Sequence, residues 1–98
     1  MNKTILITGA AKRIGKEIAL TYCDLGWNVI IHYNSSKKDA EELAHNINSK
    51  NPGTAKIVQA NLDVDSEVKR LVEESKNFFD SIDILVNNAS TFYPTPID

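Results

Sequence analysis

The sequence predicts an open parallel α/β sheet. Short β-rich runs alternate with segments of helical spacing in the order βαβαβαβ. Each strand-to-strand crossover is long enough for a right-handed parallel connection. The first strand gives way at Gly9 to a loop and then, at once, to a helix. In such sheets a ligand sits beyond the carboxyl ends of the strands, where the strand order reverses.

Thr4-Ile5-Leu6-Ile7-Thr8 is the first strand. From Ile14 the spacing turns helical, with Ile14, Ile18, Tyr22 and Leu25 on the expected inner face and Gly26 as a left-handed stop. Asn28-Val29-Ile30-Ile31-His32-Tyr33 is apolar on successive residues, as in a strand buried on both faces. Ser36 and Asp39 have the spacing of a capping box, opening a helix with Ala40, Leu43, Ala44 and Ile47 on one side. Asn51-Pro52-Gly53 ends it in a turn. A third strand is expected over 55–60, then a helix capped by Asp65 or Ser66 and carrying Val68, Leu71, Val72, Phe78 and Phe79. The fourth strand covers 82–87, and the prolines at 94 and 96 prevent helix beyond it. The strand ends at Gly9, 32–36, 60–62 and 87–90 are expected to converge on one site.

The composition fits one small globular domain: 98 residues, 42% hydrophobic and 24% charged. A net charge of −2 with scattered Lys and Arg points to neither nucleic acid nor a membrane surface. An anion must therefore be held by a local site and not by the overall field. No apolar run approaches the roughly 18 residues of a membrane helix, and no signal peptide is evident at the N-terminus. The expected location is cytoplasmic. Cys23 is the only cysteine, so no internal disulfide can form. Its helical setting favours a buried, inert thiol over a nucleophile.

The loop Thr8-Gly9-Ala10-Ala11-Lys12-Arg13-Ile14-Gly15 carries the chemistry. Gly9 permits a tight turn, Gly15 lets the helix approach the strands, and the helix start offers free N–H groups to a diphosphate. The second strand ends in His32-Tyr33-Asn34-Ser35-Ser36, with no acid before Asp39. A carboxylate there would bind a ribose 2′-hydroxyl and repel a 2′-phosphate. Hydroxyl and amide donors, with Lys12 and Arg13 in the adjacent loop, instead favour NADP over NAD.

The octet resembles the TGxxxGxG fingerprint of the short-chain dehydrogenase/reductase family, with Arg13 in place of the second glycine. Asn87-Asn88-Ala89-Ser90 resembles its NNAG motif, with Ser90 for the glycine. Both departures, and the continuation Thr91-Phe92-Tyr93-Pro94-Thr95-Pro96, are similar to the pteridine reductase branch, and the resemblance extends over 4–97. That branch often has an arginine where this chain has Ser35. The family usually has Asp before the Leu62 position, where this chain has Asn61. Asn61 and Leu62 border the adenine by resemblance; a polar residue closing a strand is the plainer reading.

The resemblance implies a Rossmann-type three-layer fold, present in part, with residues 1–98 as its N-terminal NADP(H)-binding portion. The expected cofactor contacts are Gly9, Lys12, Arg13, Ile14, Gly15, His32, Tyr33, Asn34, Ser35, Ser36, Asn61, Leu62, Asn88, Ala89 and Ser90. Arg13, Ser90 and Phe92 are the expected substrate contacts, Phe92 stacking a flat heterocycle against the nicotinamide. The alternative is that Phe92 and Tyr93 anchor a loop. The implied activity is NADPH-dependent reduction of a pterin resembling dihydrobiopterin or dihydrofolate, by a homo-oligomer, a tetramer. The alternatives are a 3-oxoacyl-carrier or general carbonyl reductase and, in a different class, a non-catalytic nucleotide-binding module.

Hydride transfer to C=N or C=O also needs a positioned proton donor. The family supplies a Tyr-x-x-x-Lys pair on a later helix. Tyr33 and Lys37 have the spacing but fall at the adenosine end of the site. No catalytic residue is therefore expected within the chain, and the chain alone is expected to be inactive. The fourth strand is expected to leave an apolar sheet edge, making the fold marginal unless other residues complete it.

Overall fold

The computed structural model describes residues 2–88. The elements run β1 (Thr4–Ile7), α1 (Arg13–Asp24), β2 (Asn28–Tyr33), α2 (Lys37–Lys50), β3 (Ala55–Gln59), α3 (Asp65–Phe78) and β4 (Ile84–Val86). The four strands form one parallel sheet in the order β3-β2-β1-β4, so the predicted α/β architecture holds. The chain steps outward from β1 to β3 and then returns to the other side of β1. That reversal puts a topological switch point beside the end of β1.

Alternation along the buried strands divides the core into two layers. Ile5, Ile7, Val29 and Ile31 face α1 and α2, meeting Ala19, Cys23, Ala40, Leu43 and Ile47. Leu6, Ile30 and Val58 face α3 and meet Leu71. All six residues of β2 are buried, the environment its unbroken apolar run predicts. Cys23 is buried and free.

The inner face of α1 differs from the expected one. Ile14 and Leu25 are 68% and 64% exposed, and Ile18 and Tyr22 are only partly buried. Gly15, Ala19 and Cys23 are the residues turned to the sheet. Small side chains at every fourth position let the helix lie close on the strands and push the large ones to its flanks. Gly26, at φ 86°, ends the helix as expected.

The helix caps also differ. Ser36 precedes α2 without a side-chain cap bond, and Asp39 turns to Lys12 instead of closing a capping box. Val64, not Asp65 or Ser66, occupies the cap position of α3. Asp65 and Glu67 instead lie in the first turn, where carboxylates favour the helix dipole.

On α3, Leu71 and Ser75 are buried, while Val68 and Phe78 are more than a third exposed. Phe79 lies past the helix and packs on the Leu6–Ile30 layer. The Ser75 hydroxyl is buried with no hydrogen-bond partner. A buried hydroxyl without a partner is destabilising. Ser75→Ala is therefore expected to raise unfolding free energy by about 1 kcal/mol in urea titration. A loss of stability would show that the hydroxyl has a partner in solution.

The fourth strand is shorter than expected, and it stands at the sheet edge with Leu85 60% exposed. At its entry, the Thr4 N–H donates to Asp83 Oδ2 and the Asp83 N–H to the Thr4 carbonyl, both at 2.8 Å.

Candidate nucleotide-binding cleft

The carboxyl ends of β1, β2 and β3 open into a cleft of about 670 Å³. Its lining gathers segments distant in sequence: Gly9 and Lys12–Ile14 from the first loop, His32–Ser36, Asn61 and Leu62, and Asn88. The structure thus brings together the predicted residues Gly9, Lys12, Arg13, Ile14, His32, Tyr33, Asn34, Ser35, Ser36, Asn61, Leu62 and Asn88. Ala11 and Asp63, which are not among the predicted contacts, also line it. Ala89, Ser90 and Phe92 lie outside the described residues.

Gly15 is buried behind the lining. A Cβ there would lie 2.6 Å from the Gly9 carbonyl oxygen, 2.7 Å from Asn88 Nδ2 and 2.8 Å from Ala10 Cα. Only glycine allows the loop, helix and fourth-strand end to meet this closely. Gly9 takes φ 62°, which glycine adopts without steric cost. Arg13 takes φ 54°, a left-handed conformation that strains any residue with a Cβ. It stands where the resemblance places a glycine, so the local backbone retains a glycine geometry around an arginine.

Two clamps hold the loop. The Thr8 N–H donates to the Val86 carbonyl at 2.9 Å, and the Asn88 N–H donates to Thr8 Oγ1 at 2.8 Å. The Thr8 hydroxyl also lies 3.2 Å from Asn87 Oδ1. Asn88 Nδ2 donates to the Gly9 carbonyl at 3.3 Å. Together these bonds tie the end of β1 to the end of β4. Thr8 and Asn87 belong to the two motifs but not to the predicted contacts; their sequence signal is the capacity of a hydroxyl and an amide to bond across two strand ends.

The second clamp is His32, 2% exposed. Its Nδ1 accepts the Gly9 N–H at 3.0 Å, which leaves Nε2 protonated to donate to the Ala60 carbonyl at 2.9 Å. Its own carbonyl accepts the Ala10 N–H at 3.1 Å. Burial pulls this imidazole below its ordinary titration range, with the Ala60 bond acting in the opposite direction. His32 therefore lines the cleft with both ring nitrogens already engaged. It is neutral, and it fixes the loop.

The electrostatics favour an anion. Lys12 precedes α1 without a side-chain cap, and the first turn of α1 contains no acid. Helix N–H groups are thus left beside the part of the cleft lined by Lys12, Arg13 and Ile14. Lys12 is not a free cation, because its Nζ lies 3.4 Å from Asp39 Oδ2 in an exposed pair. On the far side, Asn61 Oδ1 accepts the Asp63 N–H at 2.9 Å, and Glu67 Oε1 lies 3.4 Å from the Asn61 nitrogen. The guanidinium of Arg70 holds the Glu67 carboxyl below the usual carboxylate range and donates to the Gln59 carbonyl. Among the described residues there is no cluster of ligating side chains able to hold a metal ion. Nor is any helix there long and apolar enough to cross a membrane.

The chain matches the family model for short chain dehydrogenase over residues 3–97. It is 43% identical over 89 residues to a 3-oxoacyl-(acyl-carrier-protein) reductase of Staphylococcus epidermidis, covering 91% of this chain and 36% of that protein. Pteridine reductase 1 of Leishmania tarentolae is 38% identical over 109 residues, covering 94% of this chain and 38% of its own length. A short-chain type dehydrogenase/reductase of Picea abies is 37% identical over 101 residues, covering 95% and 37%. The chain thus spans little more than a third of the length of these relatives. The parallel sheet with its glycine-bounded loop, and a family match over nearly every residue, lead to one conclusion: the chain belongs to the short-chain dehydrogenase family of oxidoreductases.

Proposed function

We propose that this chain is the nucleotide-binding portion of an NADPH-dependent short-chain reductase whose substrate is a pterin. The cofactor reading rests on the cleft beyond β2. Its lining there is Asn34, Ser35 and Ser36, without a carboxylate, and Lys12 and Arg13 line the same cleft. The cradle around Gly15 and the acid-free start of α1 suit a diphosphate. In this reading α1 and Arg13 hold the diphosphate, Ser35, Ser36 and Lys12 meet the 2′-phosphate, and Asn61 and Leu62 border the adenine. Asn88 holds the loop closed beneath the dinucleotide. The bound cofactor supplies the hydride.

The pterin reading is supported by Arg13 at the family's glycine position, by Ser90 and Phe92 in sequence, and by the similarity to a pteridine reductase. A second reading, reduction of a 3-oxoacyl thioester, is supported by the higher identity to a reductase of that name. Cytoplasmic location and a homo-oligomeric, tetrameric state accompany either reading as proposals.

Two measurements on the full-length protein test these assignments. NADPH should bind at least tenfold more tightly than NADH, because a carboxylate-free end of β2 accepts the extra phosphate; equal affinities would overturn the cofactor reading. Dihydrobiopterin should be reduced in preference to an acetoacetyl thioester. Turnover of the thioester alone would replace the pterin with the second reading.

A further inference from the structure

The ion pair between Lys12 and Asp39 lies at the edge of the cleft and belongs to neither of the clamps that hold the loop. Lys12 caps α1 and lines the opening, whereas Asp39 stands in the first turn of α2 and does not. Both side chains are well exposed, at 61% and 43%. Such a pair is weak and exchanges readily for a stronger partner. Between the two elements, Ser35 and Ser36 form the adjoining wall, and Ser36 makes no side-chain cap bond to α2. An anion entering here would meet the Lys12 ammonium, with the Asp39 carboxylate already on it.

We propose that Asp39 is a specificity-determining residue. By pairing with Lys12 it withholds that cation from a phosphate on the adenosine ribose, and so limits how strongly the site prefers a 2′-phosphorylated nucleotide. The inference rests on the NADPH reading given above. A 2′-phosphate has to share or displace the Asp39–Lys12 contact and then sits near a like charge. An unphosphorylated ribose does neither, so its binding is indifferent to Asp39. The effect is electrostatic and solvent-exposed, so it weakens with added salt.

The test is titration of the full-length protein with NADPH and with NADH at low ionic strength, comparing wild type, Asp39→Asn, Asp39→Glu and Lys12→Met, the last with and without Asp39→Asn. Asp39→Asn should tighten NADPH roughly three- to tenfold, the effect of removing one nearby surface charge. NADH should change by less than about twofold, and Asp39→Glu, which keeps the charge, should remain close to wild type. In the Lys12→Met background the gain from Asp39→Asn should fall by half or more. Equal changes for the two nucleotides, no change for either, or a gain undiminished without Lys12 would each overturn the proposal. Wild-type protein that prefers NADPH but is unmoved by Asp39→Asn would defeat this inference alone. Wild-type protein with no preference for NADPH would defeat the cofactor reading along with it.

Discussion

Gly15→Ala is expected to cost roughly 1–3 kcal/mol of stability, the range for forcing a methyl group into a packed site, and to weaken NADPH binding by tenfold or more. Two of the three atoms the new Cβ would meet, the Gly9 oxygen at 2.6 Å and Ala10 Cα at 2.8 Å, are backbone. They cannot rotate away as a side chain could. Either α1 lifts from the sheet or the loop opens, and both shift the N–H groups at the helix start relative to the strand ends. The third atom, Asn88 Nδ2, also donates to the Gly9 carbonyl, so the clamp to β4 is disturbed by the same substitution. Thermal melts and nucleotide titration of the variant measure the two effects separately. A variant that melts with wild type and binds NADPH equally well would show that the close contact is not maintained in solution.

The second large effect concerns His32. His32→Leu removes the acceptor for the Gly9 N–H and the donor to the Ala60 carbonyl, taking these partners from one part-buried and one buried backbone group. At neutral pH this should cost roughly 2–4 kcal/mol. The deficit should also depend on pH. Folding lowers the pKa of His32 below its ordinary value of 6.5, so below that value the unfolded chain binds more protons than the folded one. The stability this group contributes is complete above about pH 6.5 and is lost as pH falls from there toward the lowered folded pKa, by at most about 1.4 kcal/mol per unit. The leucine variant has no such group. Its deficit should therefore be largest near pH 7.5 and should narrow on acidification in urea titrations at pH 7.5, 6.5 and 5.5. A deficit that is constant would mean that folding leaves the His32 pKa unchanged, and one that grows toward acid would mean that folding raises it.

The strands were readable because each apolar run reports its own burial. The six residues predicted for β2 are the six observed, all buried between two helical layers. The convergence of the loop, the β2 end and Asn61 also followed from topology, since the ends of parallel strands must share one side of the sheet. Side-chain direction was not readable in the same way. Ile14 and Leu25 fit a helical apolar stripe by spacing, yet the close approach of Gly15 and Ala19 decides which side meets the strands. Likewise, Ser36 and Asp39 have the spacing of a capping box, but Lys12 lies within reach of Asp39 from another helix. By its position at the end of β2, His32 reads in sequence as a ligand-facing polar residue. Only the neighbouring strand ends reveal that its ring is committed to Gly9 and Ala60.

The bonds that join β1 to β4 also bear on the order in which the molecule is built. Thr4 and Asp83 are separated by 79 positions, and Thr8 and Asn88 by 80. During synthesis the first strand must wait for nearly all of that intervening chain before its second neighbour exists. β1, β2 and the helix between them can assemble early, since their pairing needs only a short crossover. Contacts across so long a loop form late and slowly. The glycine loop therefore emerges from the ribosome well before Asn88, which bonds to the Gly9 carbonyl, and the clamp between β1 and β4 closes only once the fourth strand has docked.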